Sequence, residues 1–432
     1  MRRIEAMTKI GTKGKSLIGT RDPRGSSAPV AAVALAIAVA LLAAAPAPAD
    51  SIFDLKGWGH DVVPAVGPTR SLAGAVVAST DPFSASIISP CAAARADRLT
   101  VTGGLVNVTT KTTNLAETQT TVGATFPSLA VVVPFKQFSL LTGLYVEKQG
   151  SVSLASEGIL SGTGASADSL YDVSYRREVS AGSVPIFVAK DFGGRLVASG
   201  GVLVSFCDLR EENLTNFRSD TYTDTKDVVD AYALGTGWVG ALLADLGRVR
   251  LGALFRTGSD LDGHVDRLNK SIGIWSNRNL TVRTREAFRV GVQAQPLPSI
   301  SVEVDYDRNP WSRIEVNKRA LTDKLVERWA AGLRYTGNRL WAASKYPLYL
   351  GYYTQPADWR GATPNGTEVG DITERVFSIG LSVPVANQAA TVTVGFEAGT
   401  REAEARDDLK ERTYAVSLSI SAAEEWHKEI KR

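Results

Sequence analysis

The residues best suited to chemistry are arginines and acids that recur at alternate positions of several segments. A guanidinium group can hold a carboxylate or phosphate by paired hydrogen bonds. One interpretation is therefore that these residues guide the anionic head group of a ligand. The other, which the residues alone favour, is a salt-bridged interior whose polar groups satisfy one another. The candidate residues are Arg248, Arg250, Arg256, Arg285, Arg289, Arg328 and Arg334, with Glu303 and Asp305.

No motif of an enzyme accompanies these charges. The chain contains no G-x-S-x-G elbow, Walker loop or H-E-x-x-H. Its three histidines, His60, His264 and His427, stand far apart without metal-ligand spacing. Residues 235–240 match G-x-G-x-x-G but lie inside an alternating segment, not between a strand and a helix. We interpret these glycines as positions that pack tightly against an N-terminal hatch inside the fold, and assign no catalytic residue, metal or cofactor.

The elements that carry the charges are alternating segments that fill residues 97–423. In residues 282–295, Phe288, Val290 and Val292 form an apolar face, and Arg289 and Gln293 a polar one. Segments of about ten residues with this period are typical of tilted membrane-spanning strands. The predicted strands are 98–109, 138–147, 151–160, 170–178, 195–207, 228–243, 247–258, 281–295, 299–308, 325–336, 345–354, 374–384, 390–399 and 412–422.

The connections favour a membrane barrel over a soluble β-sandwich, which alternation alone does not exclude. Long connections (110–136, 208–226, 257–280, 309–323 and 355–373) alternate with short turns (147–150, 245–247, 295–299 and 384–388). Outer-membrane barrels have long external loops and short periplasmic turns. We therefore predict an all-β fold, a transmembrane antiparallel β-barrel of about fourteen strands over residues 97–432. An even number of strands places both termini in the periplasm.

The first 49 residues are predicted to be a signal peptide. Seven Lys/Arg precede an apolar run from Ala28 to about Ala45, and Ala47-Pro48-Ala49 is a small-residue cleavage site. The competing interpretation is a membrane anchor, for which the run is short. Without these residues the chain has 41 basic and 43 acidic residues, net −2. This balance argues against nucleic acid as a partner.

Residues 50–96 do not alternate and are predicted to form an N-terminal plug, or hatch. Its candidate residues are Arg70, Gly74, Asp81, Ser89 and Pro90, within Arg70-Ser71-Leu72-Ala73-Gly74-Ala75 and Ser89-Pro90-Cys91. The first stretch resembles the hatch motif of FadL-type outer-membrane transporters and the related PorV-like barrels, in which Asn-Pro-Ala stands where this chain has Ser-Pro-Cys. Val304-Asp305-Tyr306 with Asn309-Pro310-Trp311-Ser312 is similar to a strand end of the same family.

The resemblance implies a fourteen-stranded barrel of the outer membrane whose lumen is blocked by the N-terminal segment. FadL-type members pass hydrophobic molecules through a gap in the wall, and PorV-like members hold secreted proteins. We therefore expect passive transport of a hydrophobic or amphipathic, fatty-acid-like ligand. We also expect the barrel to be surrounded by outer-membrane lipid. The alternatives are a scaffold for secreted proteins and a general porin. Whether Cys91 and Cys207 pair is left open by the sequence.

Overall fold

The computed structural model describes most of the chain after the predicted signal peptide. It covers residues 51–55, 57–113, 118–160, 169–218, 222–320, 324–336, 346–357, 371–385, 389–403 and 406–424. The signal peptide predicted for residues 1–49 lies outside these residues.

Within these residues, twenty strands make up the sheet. They are β1 (His60–Asp61), β2 (Leu99–Thr113), β3 (Thr118–Thr125), β4 (Ser128–Pro134), β5 (Ser139–Leu160), β6 (Ser169–Phe192), β7 (Leu196–Phe217), β8 (Thr225–Asp245), β9 (Val249–Arg256), β10 (Asp260–Asn269), β11 (Ile274–Arg283), β12 (Ala287–Leu297), β13 (Ile300–Arg308), β14 (Glu315–Val316), β15 (Arg319–Ala320), β16 (Glu327–Tyr335), β17 (Leu348–Pro356), β18 (Ile372–Val385), β19 (Ala390–Ala403) and β20 (Arg406–Glu424). One short helix, α1 (Pro68–Ser71), and three 3₁₀ turns, Ile52–Leu55, Pro82–Ser84 and Pro90–Arg95, precede β2.

The strands form a closed antiparallel barrel. Neighbours in the chain pair with one another, and β20 returns to pair with β2 from Leu99↔Glu424 to Thr113↔Lys410. Three spanning strands are interrupted and are each built of two pieces: β3 with β4, β9 with β10, and β11 with β12. Counted this way, the described residues contain fourteen spanning strands. Within the same residues, no helix has the length and apolarity needed to cross a membrane.

The wall is apolar outside and polar inside. On β12, Val290 and Val292 are 44% and 46% exposed, whereas Arg289 and Gln293 are 6% and 9% exposed. A soluble sandwich buries its apolar face as a core, but a membrane barrel turns that face to lipid. This burial pattern excludes the sandwich and confirms the predicted fold class.

The predicted number of strands is right, although two of the predictions behind it are wrong. Residues 118–134, predicted as part of a loop, form β3 and β4. Residues 138–147 and 151–160, predicted as two strands, form the single strand β5. Lys148 and Gln149, placed in a turn by the prediction, pair with Ala181 and Ser180 of β6. They resemble a turn in sequence because they are polar, but both are buried, and Lys148 forms an ion pair with Asp61.

The two ends of the barrel differ. Tight turns at 135–138, 193–195, 246–248 and 298–299 lie at one end. Gly193, Gly194 and Gly247 in these turns have φ of 71°, 80° and 90°, a conformation that glycine adopts without strain. At the other end β10 and β11 pair along their whole length. The predicted loop 257–280 is therefore largely a continued hairpin. Residues 179–192, which lie between the predicted strands 170–178 and 195–207, belong to β6.

Candidate functional site

Residues 51–55 and 57–97, called the inner segment below, lie inside the barrel. Its helix α1 packs against β17, β18 and β19. The 3₁₀ turn Pro90–Arg95 packs against the opposite wall, β4 to β8. Ser89, which precedes this turn, is fully buried, and Pro90 is buried with it. The segment thus crosses the lumen from one wall to the other.

Two buried carboxylates of β13 hold the backbone of the inner segment. Asp305 Oδ2 accepts hydrogen bonds from the N–H groups of Val76 and Val77 at 2.8 and 3.0 Å. Glu303 Oε1 accepts one from the N–H of Ala78 at 2.7 Å. Charge-assisted bonds of this kind compensate for burying a carboxylate. Both predicted acids therefore contact the segment and not a free lumen.

Two of the predicted arginines hold carbonyl groups of the same stretch. Arg328 Nη2 donates to the carbonyl oxygen of Ala73. Arg289 donates to that of Gly74 at 3.4 Å and forms an ion pair with Asp307. Gly74 has a φ of 73°, and a Cβ there would lie 2.9 Å from Arg328 Nη2. Glycine at this position therefore permits both the turn and the close approach of the guanidinium.

Two further ion pairs join the inner segment to the wall. Arg70 Nη2 lies 2.7 Å from Glu397 Oε2 of β19. Asp81 Oδ2 lies 2.8 Å from Arg334 Nη1 of β16. These pairs bracket the stretch bound by β13, so the predicted hatch residues Arg70, Gly74 and Asp81 all contact the barrel wall.

A band of inward-facing glycines receives the inner segment. A Cβ added at Gly380 would lie 2.0 Å from Ser71 Oγ, and one at Gly252 would lie 2.4 Å from the carbonyl oxygen of Val77. Neighbouring strands place these glycines opposite one another, as in Gly380↔Gly395. The absence of side chains lets two backbones approach closely. The band consists of Gly252, Gly291, Gly332, Gly351, Gly380 and Gly395.

The outer half of the lumen is filled by the connection between β13 and β16. Trp311 and Ile314 of this connection are fully buried in a cluster with Trp58 of the inner segment. Trp311 Nε1 donates to Glu147 Oε2 at 2.7 Å, and Arg256 Nη1 donates to the same oxygen at 2.8 Å. Sequence reasoning missed Glu147, although a polar run inside an alternating segment was a signal for it.

The barrel wall is not continuous between β3 and β5. The β4–β5 ladder ends at Ser128↔Tyr145, and Val146 N–H still donates to the Pro127 carbonyl at 2.9 Å. Beyond this point β3 pairs with β2, and the described residues show no pairing of β3 with β5. The sheet therefore has a gap in its outer half.

The inner segment occupies the free edge of β5 in this gap. Strand β1 pairs with Lys148 and Gln149. Nearer the long connections, the N–H of Ser51 donates to the Ser151 carbonyl at 2.9 Å. Ser51 therefore lies in the outer half of the barrel, whereas Glu424 lies at the end with the tight turns.

Two cavities lie on either side of residues 61–63. The first, of about 80 Å³, is lined by apolar side chains of the wall and the inner segment together with Arg256, Arg289 and Arg328. The second, of about 70 Å³, is more polar. Asp61, Val62 and Val63 line both and separate them. A shift of these three residues would join the two cavities.

Arg328 is distinctive among the arginines of the first cavity. Arg256 and Arg289 each have a carboxylate partner, Glu147 and Asp307. Arg328 is 5% exposed and has no carboxylate partner among the described residues, and its Nε–H has no acceptor there. Its guanidinium lies 4.4 Å from the ring centroid of Tyr353. A buried guanidinium that is not directly bonded to a carboxylate can take up an anionic group beside it.

The other predicted arginines lie elsewhere. Arg248 is exposed in the turn between β8 and β9, so the expectation that it faces the lumen is wrong, because the ladder begins only at Val249. Arg285 is 40% exposed and pairs with Glu315 of the outer connection. Arg250 donates to Gln293 Oε1 at 2.6 Å near the end with the tight turns.

The glycines of residues 235–240 were predicted to pack against the hatch. They do not contact the inner segment. Gly237 approaches Ser259, Gly235 approaches the Asp260 backbone, and Gly240 faces outward with no atom within 4 Å of an added Cβ. In the described part of the chain, Cys91 and Cys207 are both free and buried. No cluster of His, Cys, Asp and Glu suited to a metal ion occurs among the described residues.

Comparison with known proteins identifies the fold. No protein-family model matches the chain, and no curated protein matches it. Several solved structures do. The chain is similar to the Pseudomonas putida toluene transporter TodX, with 18% identity, a TM-score of 0.53, and coverage of 87% of this chain and 100% of that one.

Two more structures share this architecture. CymD, a monoaromatic hydrocarbon channel, is 13% identical with a TM-score of 0.56, covering 84% of this chain and 99% of that one. A Pseudomonas aeruginosa FadL homologue is 11% identical with a TM-score of 0.51, covering 88% and 99%. These likenesses confirm the FadL-type fold predicted from the hatch residues.

Proposed function

We propose that this chain is an outer-membrane channel for the passive transport of hydrophobic or amphipathic small molecules. The long connections face the cell exterior, and the tight turns and the C-terminal strand end face the periplasm. Similar structures with this fold include the toluene transporter TodX and the hydrocarbon channel CymD. Residues 1–49 serve as the signal peptide and residues 50–96 as the plug.

The observation that carries this function is the gap between β3 and β5. A hydrophobic molecule gains little from an aqueous pore, since it partitions into lipid or an apolar pocket. An opening in the wall connects the lumen with the membrane. Here the opening leads to the second cavity, which Thr125 and Gln149 of the gap line and which residues 61–63 separate from the first cavity. The inner segment, which holds the free edge of β5, acts as the movable closure.

The first cavity also supports an amphipathic ligand. Its apolar lining receives a hydrocarbon chain, and Arg328 supplies a charge for a carboxylate head. A general porin is less well supported, because the inner segment and Trp311 fill the lumen that an aqueous channel requires. No surface among the described residues gives specific support to the secreted-protein scaffold.

Uptake by whole cells tests the proposal. A Gram-negative host without its own fatty-acid channel would express the full chain and receive labelled oleate or toluene. We expect faster uptake of both than in cells with an empty vector. Liposome swelling in arabinose is the complementary assay. Swelling in the sugar without uptake of oleate or toluene would contradict the proposal and favour a porin.

A further inference from the structure

The outer surface of the wall carries a row of cations and hydroxyl groups at the end with the long connections. The row crosses five neighbouring strands in register, from β3 over β2, β20 and β19 to β18. It consists of Thr120, Lys111, Arg412, Thr400 and Arg375. All three cations are exposed, and three strand spacings place them within about 14 Å of one another.

The row borders the apolar band that faces lipid. The next outward residues toward the tight turns include Tyr414 of β20 and Phe377 of β18, which are 42% and 49% exposed. Ala398 of β19 pairs with both and lies between them. Aromatic girdles mark the interfaces of a barrel with the membrane, so the cations lie at the depth of the lipid head groups. The small Ala398 side chain leaves a furrow between the two rings that an acyl chain can occupy.

Two of the cations oppose each other without an acid between them. Lys111 and Arg412 are direct partners across the β2–β20 ladder, and like charges in that position destabilise a sheet. The acid of this surface, Glu402, lies 3.8 Å from Arg375 and 3.6 Å from Lys410, and the described residues include no carboxylate within ion-pair distance of Lys111 or Arg412. An anion bound between Lys111 and Arg412 would remove their repulsion.

Cations elsewhere on the outer surface are compensated by acids. Arg283 lies 2.6 Å from Asp260, and Arg267 lies 2.6 Å from Asp227. The outward face around Lys111, by contrast, has four cations and one acid among the described residues. This surface therefore attracts an anion more strongly than the rest of the wall does.

We propose that this row is a binding site for a lipid of the outer leaflet whose head group carries phosphate. A guanidinium binds phosphate by paired hydrogen bonds and lysine binds it as a point charge, and three cations suit a head group with more than one phosphate. The hydroxyl groups of Thr120 and Thr400 stand in the same row as further donors. The lipid is favoured over soluble phosphate because the apolar furrow at Ala398 continues directly from the cations. The orientation of the barrel, with the long connections outside, is that of the proposed function.

Native mass spectrometry of the full-length protein in mild detergent tests the site. The probe is diphosphoryl lipid A, and the two comparison probes are a phosphate-free glucosyl diacylglycerol and inorganic phosphate. We expect lipid A to bind at least about tenfold more tightly than the glucosyl lipid, since charge-assisted hydrogen bonds are lost with the phosphates. Inorganic phosphate should not displace lipid A, because the ion has no acyl chain for the furrow.

Variants of Arg412 separate binding from folding. Arg412→Gln should weaken binding of lipid A about tenfold, the effect of losing a charge-assisted hydrogen bond, and Arg412→Lys should retain part of the affinity. Arg412→Glu should abolish binding, yet the free energy of unfolding should not fall, because opposite charges then face each other on β2 and β20. Arg283→Gln, which removes a paired cation of the outer surface, is the matched control and should leave binding unchanged.

Equal binding of lipid A and the glucosyl lipid, or equal binding of lipid A by the wild type and Arg412→Glu, would overturn the site. Displacement of lipid A by inorganic phosphate would assign the row to a soluble anion and overturn the lipid. Uptake of labelled toluene by cells that express the chain is a separate readout. Uptake without lipid A binding would overturn the lipid site alone, and lipid A binding without uptake would contradict the transport function alone.

Discussion

The Thr125 hydroxyl donates a hydrogen bond of 2.6 Å to Gln149 Oε1, joining β3 to β5 where their backbones no longer pair. Both residues are buried and line the second cavity. The contact is made by side chains alone, so the two strands can separate there without breaking a ladder. Once β1 of the inner segment has left the free edge of β5, separating β3 from β5 costs one neutral hydrogen bond, about 1 kcal/mol net.

A covalent link across the gap should stop transport. The double variant Thr125→Cys/Gln149→Cys, when oxidised, holds β3 against β5, and we expect uptake of labelled oleate to fall to the background of vector cells. Reduction should restore it. The control is Ser382→Cys/Thr393→Cys on β18 and β19, which already pair in register and line neither cavity. Full uptake by the oxidised gap variant would show that the ligand does not enter between these strands.

A bulky side chain in the glycine band should displace the inner segment. Gly380→Val places methyl groups where Ser71 now lies, while valine suits the strand itself. We expect a folded barrel that admits a hydrophilic dye. Gly240→Val is the matched control, because its side chain would point to open space. Dye entry is measured in whole cells, and folding by heat-modifiable electrophoretic migration. A folded but impermeable Gly380→Val barrel would contradict the close seating of Ser71.

Removal of the Glu147 carboxylate should destabilise the barrel strongly. Glu147→Ala leaves Arg256 buried without its counter-charge and Trp311 without its acceptor. Breaking one side of a buried pair costs about 3–5 kcal/mol. The free energy of unfolding, measured in urea with detergent micelles, should fall by that amount. Glu147→Ala/Arg256→Met should recover part of the loss. A double variant less stable than the single one would show that the pair is not coupled.

Replacement of Arg328 should separate charged from neutral ligands. Arg328→Met keeps an unbranched apolar side chain in the first cavity but removes the charge. We expect about tenfold weaker binding of dodecanoate, since a charge-assisted bond is lost, and unchanged binding of dodecanol. Tryptophan fluorescence titration of the purified protein measures both affinities. Equal loss for the two ligands would assign Arg328 to holding Ala73 rather than to recognising a head group.

The exposed ion pair between Arg267 and Asp227 on the outer hairpins predicts how the stability of the folded hairpin depends on pH. Arg267 donates to both carboxylate oxygens of Asp227, at 3.1 and 2.6 Å, and this hydrogen bond lowers the pKa of Asp227. Because the pKa of Asp227 is lowered in the folded state, the ion pair stabilises the hairpin fully at a pH above the ordinary Asp pKa, about 3.9. This stabilisation is lost as the pH falls through the lowered pKa of the folded state. Carbon-13 titration of the Asp227 carboxyl should give a midpoint below 3.9. In Arg267→Gln the midpoint should return to about 3.9.

The predicted number of spanning strands is right because the missed strand at 118–134 offsets the division of β5 into two. The sequence by itself determined the fold class and, in most strands, which side chains face inward. Each of these follows from a period of two, because successive residues of a strand point to opposite faces. The alternation around Arg289 and Val292 was sufficient to place one inside and the other in lipid. The hatch residues Arg70, Gly74 and Asp81 were also recognisable, because they match the hatch motif of the family that the sequence resembles.

Only the tertiary structure decided what meets across the lumen. Asp305 binds the backbone of Val76 from 229 positions away in the chain, and a local pattern holds no information about such a distance. The gap between β3 and β5 depends on a register that ends at Tyr145. The same polar residues, Glu147 to Gln149, form a turn if the strand ends there and a buried edge if it continues. The inner segment settles that choice, because it supplies the hydrogen bonds and charges that the buried edge requires.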